Sequence, residues 1–311
     1  MKKVFVKSAV SISCLDGFLG ENLNDQLSEG VIERSLIEPS YREYITPAMI
    51  RRASKLMKMS LASSQAAMTK ANLEKTSSII VGSGLGCLAD TEKFLKTSIL
   101  AEEDSLIPPT AFIQSGHNAV SGQIALLHKN QSYNMTHIQK GLSFEYALMD
   151  AKLRLHEGDT SVLLGAVDEK IDTVEELADR MLWPKEIKSQ LSEGCSFFVL
   201  TEEKTDVEIV SVRMVDTGEL ESQYRAVLEE YGLHESVAIE RYVGYNETLN
   251  QELSWSHVVY TDVVGRYFSS SALGFHLAYD ALRAQASVGD YAAVINVSDR
   301  EFSSIMILRR V

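Results

Sequence analysis

Residues 142–167 read LSFEYALMDAKLRLHEGDTSVLLGAV. Small and apolar residues recur at helical spacing over Leu142–His156, and Gly158 and Asp159 end this predicted helix. The apolar run Ser161–Val167 follows and barely alternates with polar residues, which indicates a strand whose two faces are both covered. This stretch therefore predicts a helix rich in small residues, joined to a strand that is buried between layers of helices.

The same order of elements returns near the end of the chain, where residues 269–297 read SSSALGFHLAYDALRAQASVGDYAAVINV. A helix is predicted over Ser269–Ala284, Gly289 and Asp290 end it, and Ala292–Val297 follows as a strand. A pattern that occurs twice in one chain indicates an internal duplication.

Each copy continues into one further strand, Cys195–Thr201 in the first and Ser303–Leu308 in the second. We therefore predict two related α/β halves, residues 1–204 and 205–311. The other predicted elements are a strand Val4–Ser13, a long helix Ala48–Asn72, a strand Ser78–Gly82, a helix Asn118–His128 and an extended segment Tyr133–Ile138.

Composition restricts the class of protein. The 311 residues are 45% hydrophobic and 23% charged, which is typical of a globular protein. The net charge of −13 argues against a nucleic-acid binder, since tracking phosphates requires a basic face. No apolar run has the length that membrane insertion requires. The three cysteines lack paired spacing, which predicts neither disulfides nor a zinc site and favours a cytoplasmic location.

Several local patterns, in this order and spacing, resemble the β-ketoacyl synthase branch of the thiolase superfamily. They are the arginine pair Arg51-Arg52 within Pro47–Lys58, the prolines Pro108-Pro109, the helix Asn118–Ala125, the strand Leu164–Glu169, and Glu193-Gly194 before Phe197–Leu200. The resemblance implies a thiolase-like five-layered α/β/α/β/α fold made of two duplicated halves. It also implies a dimer that pairs through the segment Tyr133–Ile138 and the helix behind it.

The family's chemistry requires a cysteine at the amino end of the helix in residues 142–156, where the helix dipole lowers the pKa of the thiol. The family's spacing, counted back from Gly158, places this nucleophile position at Gly141. A shift of two residues would place it at Gln139. Neither side chain can form a thioester.

Two histidines of the family follow two strands of its second half and stabilise the developing enolate. In this sequence Val243–Gln251 occupies the first histidine motif, with Val243 at the position of the histidine. In the second motif Arg266 replaces the histidine and Thr261 the preceding lysine. The family's glycine-rich loop near the carboxyl end becomes Ser298–Glu301.

The resemblance thus indicates a β-ketoacyl-acyl carrier protein synthase homologue that lacks the Cys-His-His triad. Degenerate synthases of this kind work as chain-length factors beside an active ketosynthase in fatty acid, polyketide or aryl polyene biosynthesis. Two alternatives stay open: an acyltransferase or condensing enzyme with an unrecognised active site, and a structural homodimer. We predict no cofactor and no metal.

Other residues with chemical potential have simpler structural interpretations. We expect Gly82–Gly86 to be a tight turn between strand and helix and Cys87 to be a small buried residue. His117 is expected to be a hydrogen-bonded structural residue, and His137 to be exposed or at an interface. Asp168 and Glu169 are adjacent at a strand end, so their side chains should diverge.

Two further expectations concern charges. Arg51, Arg52, Lys55 and Lys58 recur at helical spacing and form either a solvated face or a docking surface for an acidic acyl carrier protein.

Arg266 replaces a histidine at the end of the buried site, so its guanidinium should be paired. An unpaired buried charge is unfavourable, so we expect a carboxylate beside it, with Asp262, Asp299 and Glu301 as candidates.

Overall fold

The structure is a computed structural model that describes residues 2–20, 22–31, 33–100, 109–245, 253–284 and 286–311. Pro108 and the stretch 246–251 of the first histidine motif lie outside the described residues. In the described part of the chain, no helix combines the length and the apolar character needed to cross a bilayer.

Ten strands are described. They are β1 (Phe5–Ile12), β2 (Ser78–Gly82), β3 (Tyr133–His137), β4 (Ser161–Asp168), β5 (Gly194–Thr201), β6 (Val207–Asp216), β7 (Ala238–Tyr245), β8 (Val258–Val259), β9 (Tyr291–Val297) and β10 (Phe302–Arg310). The strands lie in the order β3-β2-β4-β5-β1-β6-β10-β9-β7-β8.

This order contains one arrangement twice. β4 is parallel to β2 and antiparallel to β5, and β5 is antiparallel to β1. In the second half, β9 is in the same way parallel to β7 and antiparallel to β10, and β10 is antiparallel to β6. The two groups of five meet only where Phe5 of β1 pairs with Glu208 of β6. The duplicated halves predicted from sequence are therefore present as two sheets of equal topology, while their boundary at residues 204 and 205 stays a prediction.

Twelve helices connect and cover these strands. They are α1 (Leu23–Glu29), α2 (Pro47–Arg52), α3 (Lys55–Lys70), α4 (Leu88–Ile99), α5 (Pro109–Ser115), α6 (Ala119–Leu127), α7 (Ser143–His156), α8 (Asp172–Arg180), α9 (Lys185–Lys188), α10 (Leu220–Glu230), α11 (Thr261–Val264) and α12 (Ser271–Ala284). The predicted bounds of α6, α7 and α12 differ from these by one or two residues.

The buried residues form three layers of core. The first lies between the two sheets and contains α7 and α12. The second packs α3 and α6 on the outer face of the first sheet, and the third packs α10 on the outer face of the second sheet. Helices and sheets therefore alternate in five layers, which confirms the predicted thiolase-like architecture.

Three aromatic rings hold the middle layer together. Phe144 of α7 lies 5.5 Å from Phe275 of α12, and both rings pack against Phe198 of β5, at 5.8 and 5.0 Å between ring centroids. Such edge-on pairs stabilise a core beyond the area that they bury. The helix of one half is thus fixed against the helix of the other at the centre of the molecule.

The prediction of one long helix Ala48–Asn72 is wrong in one respect, because the structure divides this segment into two helices, α2 and α3. Ala53 is extended, with φ −83° and ψ 138°, and α2 ends there. Ser54 is also extended, and its side chain accepts a hydrogen bond from the amide of Met57. This N-cap starts α3 as a separate helix, and a serine at such a position satisfies an amide that would otherwise lack a partner.

Gly165 of β4 provides a test of the packing on the outer face of the first sheet. A Cβ atom at this position would lie 2.2 Å from Cε1 of Phe197, whose ring is completely buried. Gly165→Ala should therefore lower the free energy of unfolding by about 1–3 kcal/mol, as overpacking of a core does. Urea denaturation measures this difference.

The matched control is Gly122→Ala in α6, where an added Cβ would meet no atom within 4 Å. Alanine is the better helix former, so this variant should gain up to about 1 kcal/mol. A Gly165→Ala protein as stable as the unmodified chain would contradict the described packing of β4.

Candidate active site

The amino end of α7 lies inside the molecule. Gly141 is buried in the short 3₁₀ turn that precedes α7. Its carbonyl oxygen accepts a hydrogen bond of 2.7 Å from Nδ2 of Asn296 on β9. Ser143, the first residue of α7, donates from Oγ to the carbonyl of Ser83 at 2.9 Å. The position predicted for the nucleophile therefore contacts both halves of the fold, and it offers backbone where the family's chemistry needs a thiol.

A buried carboxyl group lies one helical turn further along α7. The Oε1 atom of Glu145 accepts hydrogen bonds from Asn296 Nδ2 at 2.8 Å and from Ser304 Oγ at 2.9 Å. Its Oε2 atom is buried and has no hydrogen-bond partner among the described residues. Burial raises the pKa of this carboxyl, against the effect of its hydrogen bonds. Glu145 is thus a carboxyl with a bias toward the neutral form, held between α7 and the second sheet.

Sequence analysis missed both Glu145 and Asn296. A glutamate in the first turn of a helix is common because the helix dipole favours it, so Glu145 gave no distinct signal. Asn296 did give a signal in the sequence, since it is the only amide side chain within the apolar strand Tyr291–Val297. A polar residue in a strand covered on both faces needs a buried partner, and this argument could have found the pair.

Asp168, at the end of β4, organises the glycine-rich turn. Its carboxylate accepts hydrogen bonds from the amides of Gly84 and Leu85, both at 2.9 Å, and from Ser83 Oγ at 3.0 Å. The amide of Ser269, just before α12, donates to the same carboxylate at 2.9 Å. The amides that a phosphate would need are therefore occupied by a side chain of the same protein. This confirms that Gly82–Gly86 is a turn.

Glu169 points away from Asp168, as predicted for adjacent residues at a strand end. Its Oε2 atom accepts from the amide of Leu56 in the first turn of α3 at 3.2 Å, while Oε1 is buried without a partner among the described residues. Burial raises the pKa of Glu169 to about 7, and the neighbouring carboxyls of Asp90 and Glu193 act in the same direction. Asp168 and Glu169 thus have separate structural roles, and they do not form a pair of carboxylates for acid–base catalysis.

Arg266 lies in the segment between α11 and α12. Its backbone amide donates to Gln190 and its carbonyl accepts from Ser192, so the main chain is fixed. The Nε and Nη1 atoms are buried and have no hydrogen-bond partner in the described part of the chain. Burial lowers the pKa of the guanidinium, and the charge of Asp262 partly opposes this.

The expected carboxylate pair for Arg266 is therefore not confirmed. Asp262 acts only at a distance. Asp299 accepts instead from the amides of Glu301 and Phe302, which makes it part of the turn between β9 and β10. Arg266 is half-buried, and its side chain has fewer partners than expected.

The placement of Val243 corrects the sequence analysis. Val243 lies inside β7, and its side chain packs in the outer core with α10, on the opposite face of the sheet from α7. Its neighbours Tyr242 and Gly244 face the other way: Tyr242 belongs to the middle core, and Gly244 is covered by Tyr260. Side chains alternate along a strand, so a register error of one residue changes the face. Val243 does not face the candidate site.

The cysteines and histidines provide no alternative nucleophile. Cys14, Cys87 and Cys195 are buried and unpaired, and burial raises the pKa of their thiols to about 11, 12 and 12. Thiols with raised pKa values are poor nucleophiles. The described residues contain no group of three potential metal ligands.

The two histidines near the turn and the helix differ in their partners. His137 Nε2 lies 2.9 Å from the carboxylate of Asp150, at the carboxyl end of β3. His117 is exposed, and its ring packs against Gly86, so the predicted hydrogen-bonded role is not confirmed. Neither side chain is placed beside a nucleophile.

The basic residues near the amino terminus lie on two helices instead of one. Arg51 and Arg52 are exposed in the last turn of α2, whereas Lys55 and Lys58 belong to the first turn of α3. Lys55 forms an ion pair with Glu193. The face is therefore smaller than predicted, with its free charge centred on the arginine pair.

Five layers, a duplicated five-stranded sheet and a buried helix start at Gly141 define a thiolase-like condensing-enzyme fold. Residues 33–235 match the family described as beta-ketoacyl synthase, N-terminal domain, and this match covers well over half of the chain. The protein belongs to the β-ketoacyl synthase family. No curated protein matches the sequence.

Solved structures agree on the fold. The ishigamide ketosynthase/chain length factor is similar over 99% of both chains, at a TM-score of 0.77 and 14% identity. AntDE:AntF, a type II PKS acyl-carrier protein in complex with its ketosynthase bound to the hexaketide, is similar over 100% of both chains, at a TM-score of 0.76 and 15% identity. The ketosynthase ApeO in complex with its chain length factor ApeC, from Xenorhabdus doucetiae, is similar over 100% of both chains, at a TM-score of 0.60 and 13% identity. At sequence identities this low, the structural similarity is evidence for the fold alone.

Glu169 should make the stability of the protein depend on pH. Its carboxyl titrates near 4.5 in the unfolded chain and near 7 in the folded one, so between these values the folded state keeps a proton that the unfolded state has lost. The free energy of unfolding should fall by about 1–3 kcal/mol as the pH rises from 4.5 to 7.5. Urea denaturation at a series of pH values measures this slope.

Glu169→Gln should remove this component of the slope, because glutamine stays neutral. Glu176→Gln, at an exposed position of α8, is the matched control and should leave the slope unchanged. Equal slopes for all three proteins would show that Glu169 does not titrate as described.

Proposed function

We propose that this protein is a non-catalytic member of its family, which acts as a chain-length-factor-like partner of an active ketosynthase. The observation that carries the proposal is Gly141 at the buried amino end of α7. A glycine there provides no side chain to accept an acyl group, and its carbonyl is already bound by Asn296. Covalent catalysis requires an activated nucleophile at that place.

The other catalytic groups of the family are also without a counterpart. Residues 246–252, which follow β7, contain no histidine, and Arg266 stands in the second histidine motif. Arginine cannot exchange protons near neutral pH, and it is a poor substitute for an imidazole in acid–base chemistry. The absence of all three groups favours a partner role over a condensing enzyme with an unrecognised site.

The surface around β3 supports assembly with a second subunit. β3 is the first strand of its sheet and pairs on one side only, with β2. Met135 on β3 is 39% exposed, and on α7 Tyr146, Met149 and Leu153 are 40%, 43% and 54% exposed. An open strand edge beside an apolar helix face is unfavourable in water and favours a partner. We call these residues the β3–α7 surface.

A cleft of about 720 Å³ continues the β3–α7 surface toward the second half. Apolar side chains dominate its wall, including Met149 and Leu153 of α7 and Val212 of β6. Both ring nitrogens of His156, which also lines the cleft, are buried without a partner among the described residues. Such a cleft suits an inserted segment of a partner chain that brings apolar side chains and a hydrogen-bonding group.

The neighbours of known structure support a choice of partner. One of them is a ketosynthase with its chain length factor, and another holds an acyl-carrier protein. We infer that this chain pairs with an active ketosynthase in a polyketide, aryl polyene or fatty acid pathway in the cytoplasm. The exposed Arg51 and Arg52 offer a contact for an acidic carrier protein.

The proposal predicts an absence of family chemistry. The isolated protein should not decarboxylate a malonyl-loaded carrier protein and should form no acyl-enzyme, because no thiol of low pKa is present at α7. Gly141→Cys should leave decarboxylation at background, since it restores a thiol but no histidine. Intact-mass spectrometry and carbon dioxide release measure both reactions, with a cysteine-bearing synthase as positive control.

An acyl adduct on any cysteine of the unmodified protein would contradict the proposal and favour the acyltransferase alternative. Condensation by Gly141→Cys alone would show that the enolate-stabilising groups had been overlooked.

The β3–α7 surface yields a second prediction. Met135→Asp places a charge where a partner strand would pair, so the variant should lose its partner or aggregate. An obligate interface of this family should bury more than about 2,000 Å², and one central charge disrupts such a contact. Size-exclusion chromatography with light scattering, with and without a co-expressed ketosynthase, measures the change.

Val288→Asp is the matched control, because Val288 is 79% exposed and lies in the turn before β9. It should assemble like the unmodified chain. An unmodified protein that stays monomeric alone and with the ketosynthase would overturn the assembly proposal, whereas a stable dimer without any ketosynthase would favour the structural homodimer.

A further inference from the structure

A polar cavity lies far from Gly141, beside the carboxyl-terminal half of α12. Its volume is about 350 Å³, which is near the lower limit for small-molecule sites. Residues of β1, the end of α3, the link between β5 and β6, and α12 form its wall. On α12 the wall runs from His276 to Arg283, five to twelve residues beyond the start of the helix, so it lies roughly 7 to 18 Å along the helix from that start.

His276 forms part of this wall although it is only 6% exposed. Its Nδ1 atom lies 2.7 Å from Ser11 Oγ, which in turn lies 2.8 Å from Ser196 Oγ. Its Nε2 atom has no hydrogen-bond partner among the described residues. Because Nδ1 is engaged by Ser11, Nε2 is the ring atom that this side chain can offer to the cavity.

The cations of the wall surround the histidine. Lys70 and Arg283 both line the cavity, and burial together with these two charges lowers the pKa of His276 to about 3. The imidazole is therefore neutral. When the hydroxyl of Ser11 donates to Nδ1, the ring proton lies on Nε2, which becomes a donor that points into the cavity.

Two carboxylates also line the cavity, and both have partners. Asp206 lies 3.8 Å from Arg283 and 3.3 Å from Arg310, so two guanidinium groups share it. Asp280 accepts from Asn24 Nδ2 at 3.3 Å, and burial raises the pKa of its carboxyl. Asp206 is thus shared by two arginines, whereas Asp280 is held by a neutral amide.

We propose that this cavity binds a small oxyanion, a phosphate or carboxylate group of a metabolite, through His276 Nε2–H, Lys70 and Arg283. His276 and Arg283 lie on α12 and Lys70 at the end of α3, two helices that pack on opposite faces of the sheet that contains β1. Hydrogen bonds from a charged lysine or arginine to an oxyanion are stronger than bonds between neutral groups. A neutral histidine adds a further directional hydrogen bond without extra charge. A chain with a net charge of −13 repels anions in general, so a saturable anion site on it would be specific.

The test is titration calorimetry of the full chain with inorganic phosphate, glycerol 3-phosphate and succinate at constant ionic strength. Saturable one-to-one binding of at least one of these anions is expected. The anion that binds most tightly shows whether the cavity prefers a phosphate or a carboxylate group. Arg283→Gln and Lys70→Gln should each weaken binding by about tenfold. Both residues are exposed enough for the variants to fold, which urea denaturation without ligand verifies.

Arg213→Gln is the matched control, since Arg213 pairs with Glu230 on another face. It should bind like the unmodified chain. The imidazole nitrogen signals of His276 in NMR spectra should also shift on addition of the bound anion. No saturable binding, equal affinity in all variants, or an unchanged His276 signal would each overturn the proposal, whatever the outcome of the ketosynthase experiments.

Discussion

The carboxylate of Asp168 is the interaction on which the arrangement of the site depends. It gathers the amides of the glycine-rich turn in the first half and the amide of Ser269 in the second. Burying a charge is unfavourable unless hydrogen bonds compensate it, and here four donors do so. The start of α12 is thereby fixed against the turn that follows β2, and α7 packs between them. Together with the hydrogen bonds of Asn296 and Ser304 to the start of α7, this contact fixes the two halves relative to each other.

In the function that we propose, the helix start that serves catalysis elsewhere in the family serves packing in this chain. Family chemistry uses the amino end of α7 to stabilise a thiolate. In this protein Asn296 binds the carbonyl of Gly141, and Glu145 brings a carboxyl of raised pKa to the next turn. The polar groups of the helix start are therefore directed at the second half of the chain and away from any substrate.

The sequence predicted the layers and the strands well, because both depend on local periodicity. α7 and α12 end at the predicted residues His156 and Ala284, with Gly158 two residues beyond the first end and Gly289 five residues beyond the second. Strand order could not be predicted in this way, since pairing such as that of Phe5 with Glu208 joins residues about 200 positions apart. The prediction of the duplicated halves came from repetition, and the topology of the two sheets agrees with it.

The site was harder to predict than the fold. Counting from Gly158 predicts the nucleophile position at Gly141, or at Gln139 after a shift of two residues, and this assignment stays a prediction. Val243 could not be located with equal certainty, because one residue of register changes the face of a strand. The break at Ser54 depends on a single side-chain hydrogen bond, which helical periodicity does not reveal. Glu145 resembles any first-turn glutamate until the second sheet is placed against it.

The two ends of the strand array differ in length, and this determines how far an assembly can grow. β3 presents a five-residue edge, whereas β8, at the other end, has only two residues. Edge-to-edge growth through both ends would require two edges of comparable extent. One long edge and one short one, as far as the described residues show, favour a contact of edge β3 with edge β3, and a contact of like surfaces closes after two subunits. The duplicated fold thus has one end suited to pairing, so the assembly that we propose is a pair of subunits and not a filament.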